Sequence, residues 1–184
     1  MEIAMGLPLT VPHRGIETMA IADGLAVVIV DMQKTYVGYT TKQKRERLVQ
    51  AHRQILEVCA KQNVPVAVLE MDCDGGTIPD LGEMLRQLPR LEFMTKSRAD
   101  GFWRTFLAHH LYHWKSRELL ITGCLASACV RATTEAALFR DFKVRTAETL
   151  IADADIHGIE PHSERWYRTN GCLRESSLDA LFSN

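Results

Sequence analysis

Asp31, Lys96 and Cys129 each follow a short apolar run, and together they supply an acid, a cation and a thiol. An acid can carry a proton, an ammonium can stabilise a neighbouring anion, and a thiol can attack an electrophilic carbon to form a covalent intermediate. The thiol has the most telling surroundings. The stretch ELLITGCLASACVRATTEAALFRDFK, Glu118 to Lys143, opens with the apolar run Leu119-Leu120-Ile121 and breaks at Gly123. It then passes through small residues to Cys129, after which Ala132, Ala136, Leu138 and Phe139 recur at helical spacing. A cysteine at such a junction faces the partial positive charge of a helix N-terminus, which favours thiolate over thiol. Taken singly, each residue has an ordinary explanation: Cys129 a buried structural thiol, Asp31 a helix cap, Lys96 a surface side chain.

What must position these groups is a set of alternating strands and helices. LAVVIVD (25–31) is a continuous β-branched run ending in an acid, and VPVAVLEM (64–71) is a second buried strand. Leu91 to Thr95 reads as a third strand, Leu119 to Ile121 as the core of a fourth, and KVRTAETLIAD (143–153) as a fifth with its exit loop. Helices are expected over Thr40 to Gln62, Pro79 to Leu88, Phe102 to Trp114, the segment after Cys129, and Pro161 to Thr169, where Asn170-Gly171 is a stop signal. Cys172 to Arg174 reads as an edge strand, and Ser177 as the cap of a final turn. Residues 1–22 read as an irregular lead-in. This alternation predicts a three-layer α/β/α domain over residues 1–184 with a mostly parallel, doubly wound sheet. Sites in such sheets form beyond the carboxyl ends of the strands, where Asp31, Lys96 and Cys129 all fall.

Composition narrows the function. The 184 residues carry a formal net charge of -1, which gives no electrostatic reason to expect nucleic acid or an anionic membrane as partner. No apolar run approaches the length of a membrane span, and MEIAMGLPLTVPHRG lacks the basic start and apolar core of a signal peptide. Five cysteines at irregular spacings do not form a disulfide framework, so a reducing, cytoplasmic setting is expected. Cys59, Cys73 and Cys172 read as core or loop residues, and the run KQKRER as a solvated helix face. His109, His110 and His113 include an i, i+4 pair with zinc-site spacing, but no partnering acid is evident in the sequence. Tyr36 and Phe102 lie close after two of the candidate residues and could wall a pocket or simply pack.

Three separated stretches, VIVDMQ (28–33), TKSRADGF (95–102) and TGCLASACVRATTEAALFRDFKV (122–144), resemble the isochorismatase-like superfamily and in particular its cysteine hydrolase branch. The resemblance runs from Leu25 to Phe182. It implies an Asp31-Lys96-Cys129 triad, a cis peptide bond joining Cys124 and Leu125, and oxyanion donation by the N–H groups of Leu125 and Cys129. It implies a homo-oligomer acting on a small-molecule substrate. Nicotinamidases of this superfamily carry an Asp-x-His and a further His after the second strand, whereas this chain has Asp72-Cys73-Asp74 and no histidine until His109. We therefore expect no metal and no other cofactor, and nicotinamidase activity becomes less favoured. Isochorismatases proper usually have Gly at the place of Cys129, which argues against vinyl-ether hydrolysis. Ala126 stands where this branch often has Thr, and the segments around 72–80 and 153–162 match no particular specificity.

The implied reaction is attack of Cys129 on an amide, carbamoyl or ureido carbon, loss of an amine, then hydrolysis of the thioester. A thiol with an ordinary pKa of about 8.5 is roughly 3% ionised at pH 7, so complete ionisation gains at most about thirtyfold. Orientation and oxyanion donors must supply much of the remainder. Two other readings remain open at this stage. One is hydrolysis by Asp31 without a covalent step, and the other is a non-catalytic or redox-sensing member working through its oligomeric surface.

Overall fold

The computed structural model describes residues 20–72, 74–155 and 163–183. Its frame is a sheet of six strands: β1 (Leu25–Val30), β2 (Val66–Met71), β3 (Leu91–Lys96), β4 (Glu118–Cys124), β5 (Lys143–Arg145) and β6 (Ile151–Ala152). The order is β3-β2-β1-β4-β5, with β6 also paired to β4, and every ladder is parallel. The sheet is thus doubly wound: the chain moves outward through β2 and β3, then returns to the other side of β1 with β4. The point where that order reverses lies between β1 and β4, and their carboxyl ends carry Asp31 and the Cys129 segment.

Side chains that alternate along each central strand feed two cores, one on each face. Val27, Ile29, Val66, Val68 and Leu120 pack against Leu48 and Ile55 of α2 (Lys42–Gln62) and Leu81 and Leu85 of α3 (Pro79–Arg86). Val28, Val30, Ala67, Leu69 and Ile121 pack against Leu107 and Leu111 of α4 (Leu107–His113), Ala137 of α5 (Arg131–Leu138) and Tyr167 of α6 (Ser163–Thr169). The molecule is therefore three layers, α/β/α. With α1 (Lys34–Gly38) and α7 (Leu178–Phe182) the helices number seven among the described residues. None is long and apolar enough to cross a membrane.

Several boundaries differ from the sequence reading for identifiable reasons. The short α1, directly after β1, has no counterpart in it; five residues are too few for helical periodicity to register. The expected helix from Phe102 begins only at Leu107. Ahead of it the Phe102 N–H donates to Asp100 Oδ1, Thr105 Oγ1 to the Gly101 carbonyl, and the Leu107 N–H to Thr105 Oγ1, so local side chains occupy the backbone groups a helix would use. The single strand expected over 143–153 is split into β5 and β6 by a 3-10 turn at Glu148–Leu150. Cys172 to Arg174 supply one parallel bridge, Thr146 to Leu173, rather than a strand. Ser177 caps α7 by accepting from the Ala180 N–H at 3.2 Å, and Thr41 caps α2 by accepting from the Lys44 N–H. Of the lead-in only residues 20–22 are described, and Ala22 donates its N–H to the Phe182 carbonyl at 2.6 Å. Of the 161–169 helix, the described part begins at Ser163.

Candidate active site

The close approach of two strands sets the site. Gly123, in register with Val30, adopts φ 120, and a Cβ there would collide with the Val30 carbonyl, so only glycine lets β4 lie against β1 at this level. One residue beyond Val30, Asp31 has φ 49, a left-handed turn that Asp tolerates better than most residues. Its N–H donates to the Leu69 carbonyl at 2.9 Å, which ties this turn to β2. The Gln33 side chain binds the β2 exit on both sides: its Nε2 donates to the Met71 and Gly75 carbonyls and its Oε1 accepts from the Met71 N–H at 2.7 Å.

Lys96, the last residue of β3, donates from Nζ to Asp31 Oδ2 at 2.7 Å, and both side chains are fully shielded from solvent. Its ammonium also donates to the Arg98 carbonyl at 3.2 Å. Burial pushes the Asp31 carboxyl above its ordinary value, while Lys96 and then Cys129 pull it partly back. Asp31 Oδ1 is buried with no hydrogen-bond partner among the described residues.

Cys129 is 6% exposed and close enough to Lys96 and Asp31 for both to act on its ionisation. The expectation of a ready thiolate does not fit this environment. Burial pushes the thiol up to about 11; Lys96 lowers it, but the Asp31 carboxylate raises it again. Cys129 lies inside a π-helical turn, Ala126–Val130, that runs into α5. It therefore sits in the first turn of the helix that continues into α5.

The turn begins with a cis peptide bond between Cys124 and Leu125. Its N–H groups are sorted by use: those of Ala128 and Val130 donate to the Leu125 carbonyl, and that of Ser127 donates to Asp153. Thr133 Oγ1 donates to the Cys129 carbonyl at 2.8 Å and accepts from the Gly101 N–H at 3.0 Å, which anchors α5 to the segment after β3. The Cys124 thiol is fully buried, and burial pushes it up to about 12.

Of the two wall candidates, Tyr36 is brought to the site. Burial raises its phenol well above the ordinary value, followed by Asp74 and then the charges of Asp31 and Cys129. Its hydroxyl donates to Asp74 Oδ2 at 2.6 Å. Phe102 stacks on Phe142 at 6.2 Å under the Arg140 guanidinium, in the core cluster that also holds Ala126 and Cys129. In the Asp72-Cys73-Asp74 segment, Cys73 lies outside the described residues, and Asp74 is engaged with Tyr36. No three metal-ligating side chains converge among the described residues. His110 on α4 does have an acid near it, with Nδ1 3.7 Å from Glu92 Oε1, contrary to the sequence reading.

Asp153, Ser127 and Tyr167 were not foreseen. Asp153 carried a visible signal, an acid directly after the apolar run LIA, the same mark that singled out Asp31.

A parallel, doubly wound sheet thus brings an acid, a lysine and a cysteine together beyond the carboxyl ends of its strands. The chain belongs to the isochorismatase family, whose Isochorismatase domain matches residues 25–163. Streptothricin hydrolase from Streptomyces noursei is 28% identical over 139 residues, covering 71% of this chain and 55% of that protein, so the chain spans about half the length of this relative. Among solved structures, N-carbamoylsarcosine amidase from Thermoplasma acidophilum has a TM-score of 0.70 at 20% identity, covering 83% of this chain and 96% of that one. Nicotinamidase from Staphylococcus aureus has a TM-score of 0.67 at 16% identity, covering 82% and 97%. At these identities the two structures speak for the fold alone.

Proposed function

We propose that this chain is a cysteine hydrolase that cleaves a C–N bond (amide, carbamoyl or ureido) in a small molecule through a thioester on Cys129. The observation that carries the reading is the Lys96–Asp31 pair, sealed from water beside the Cys129 thiol, with Asp31 Oδ1 left without a partner among the described residues. The hydrolase name of the sequence relative supports a hydrolytic reading.

With a thiol at about 11, forming a free thiolate at pH 7 costs about 5 kcal/mol. Proton transfer is therefore coupled to attack. As Sγ bonds to the substrate carbon, Asp31 takes the thiol proton and the carbonyl oxygen becomes an oxyanion facing the N–H groups of Leu125 and Cys129. Lys96 holds Asp31 in place and balances its charge. Collapse breaks the C–N bond, and Asp31 returns the proton to the leaving nitrogen. Water then attacks the thioester with Asp31 again as base, and the released sulfur recovers its proton.

The test is a panel of amides, carbamoyl compounds and ureido acids with ammonia detection. On any substrate turned over, Cys129→Ala and Cys129→Ser are expected to lower kcat by about 10⁴-fold or more. Turnover retained in both variants would overturn the covalent mechanism and favour direct hydrolysis by Asp31.

A further inference from the structure

The turn that carries Cys129 is held from beneath by groups the proposed mechanism does not use. Asp153 follows β6, whose Ala152 is in register with Cys124. Its Oδ1 accepts two hydrogen bonds from one residue, the Ser127 N–H at 2.6 Å and the Ser127 hydroxyl at 2.7 Å. The residue is 8% exposed, and its Oδ2 has no partner among the described residues. From α6, the Tyr167 hydroxyl donates to the Ala126 carbonyl at 2.7 Å. The peptide plane between Ala126 and Ser127 is thus pinned at both ends, its carbonyl by Tyr167 and its N–H by Asp153. That plane lies between Leu125 and Cys129. A buried carboxylate is unfavourable without full compensation, and this one is spent on a single residue of the nucleophile turn.

We infer that Asp153, acting through Ser127, is a positioning residue that sets the oxyanion donors of the Cys129 turn. The inference rests on the covalent reading above. By engaging the Ser127 N–H, Asp153 removes a competing donor from the turn and fixes the peptide on which the directions of the Leu125 and Cys129 N–H groups depend. Misplacing such donors by about 1 Å is enough to cost roughly 10²-fold in rate.

Two reagents for the same sulfur separate this role from a structural one. p-Nitrophenyl acetate transfers its acetyl group to Cys129 Sγ; the thiol proton goes to Asp31, the C–O bond to nitrophenolate breaks, and an oxyanion forms on the way. Iodoacetamide alkylates the same sulfur by displacing iodide, with no oxyanion. In Asp153→Ala, Cys129 acetylation is expected to fall about 10–100-fold further than its alkylation. Asp153→Asn keeps a carbonyl oxygen able to accept both Ser127 bonds, and should hold the wild-type ratio within about threefold. If Asp153→Ala does not fold, Ser127→Ala, which removes one of the two bonds, should shift the ratio in the same sense by a smaller factor. An unchanged ratio in the folded Ala variants would overturn the inference and leave the thioester mechanism standing. Absence of Cys129-dependent acetylation in the wild type would overturn both.

Discussion

At the scale of single residues, the site works by opposing burial and charge. Lys96 and Asp31 are removed from water together, which is tolerable only while they neutralise each other. Lys96→Met leaves the Asp31 carboxyl alone in the interior, and the variant is expected to lose about 3–5 kcal/mol of stability in urea unfolding at pH 7. The same substitution removes the cation that lowers the Cys129 thiol. In the wild type, iodoacetamide labelling of Cys129 at pH 7 should be slower than that of free cysteine and rise about tenfold per pH unit towards pH 11. In Lys96→Met the rise should shift to higher pH. Labelling that is already fast and flat at pH 7 would mean a standing thiolate. In the sequence Asp31 ends an apolar run, but the grouping of Asp31, Lys96 and Cys129 comes from the resemblance of three separated stretches to one family. The direction of the thiol's shift was not legible at all. That direction depends on how completely the site is enclosed, and enclosure is made by residues far apart in the chain.

At the scale of elements, the central strands were legible because β1, β2 and β4 are buried on both faces and read as unbroken apolar runs. What escaped was wherever side chains override periodicity, as Asp100 and Thr105 do ahead of α4. The clamp of Asp153 on Ser127 also escaped, since it joins β6 to a turn 26 positions away in sequence. The β1–β4 pair depends on one atom that is missing. Gly123→Ala would drive a Cβ into the Val30 carbonyl at positive φ, and backbone cannot yield as a side-chain tip would. We expect a loss of more than about 4 kcal/mol, or failure to fold. Gly38→Ala, in α1 with open space around the added carbon, should change stability by no more than about 1 kcal/mol. Chemical denaturation of the two variants side by side checks both. Similar small losses would mean that the strands can separate at Gly123 without consequence.

At the scale of the molecule, the layers are joined by one buried histidine that no local pattern announced. His52 on α2 is fully buried. Its Nδ1 lies 2.8 Å from the Leu48 carbonyl and its Nε2 lies 3.1 Å from Thr122 Oγ1 on β4. A carbonyl only accepts, so Nδ1 carries the proton and Nε2 accepts from the Thr122 hydroxyl. Burial pushes the ring down to about 4, against an ordinary value near 6.5. The unfolded chain therefore binds a proton at higher pH than the folded one, and stability must rise with pH across this window. The contribution is complete above about pH 6.5 and is lost as pH falls towards 4. Between pH 7.5 and 5 it amounts to about 2 kcal/mol. Asp31, raised in the folded state, works in the opposite sense at the acid end, so the level in any one protein mixes the two. The difference between wild type and His52→Gln isolates the histidine. Urea unfolding at both pH values should give a wild-type loss about 2 kcal/mol larger than that of the variant, whatever the substitution does to stability at pH 7.5. Equal losses would mean that His52 takes up its proton without leaving its place between α2 and β4.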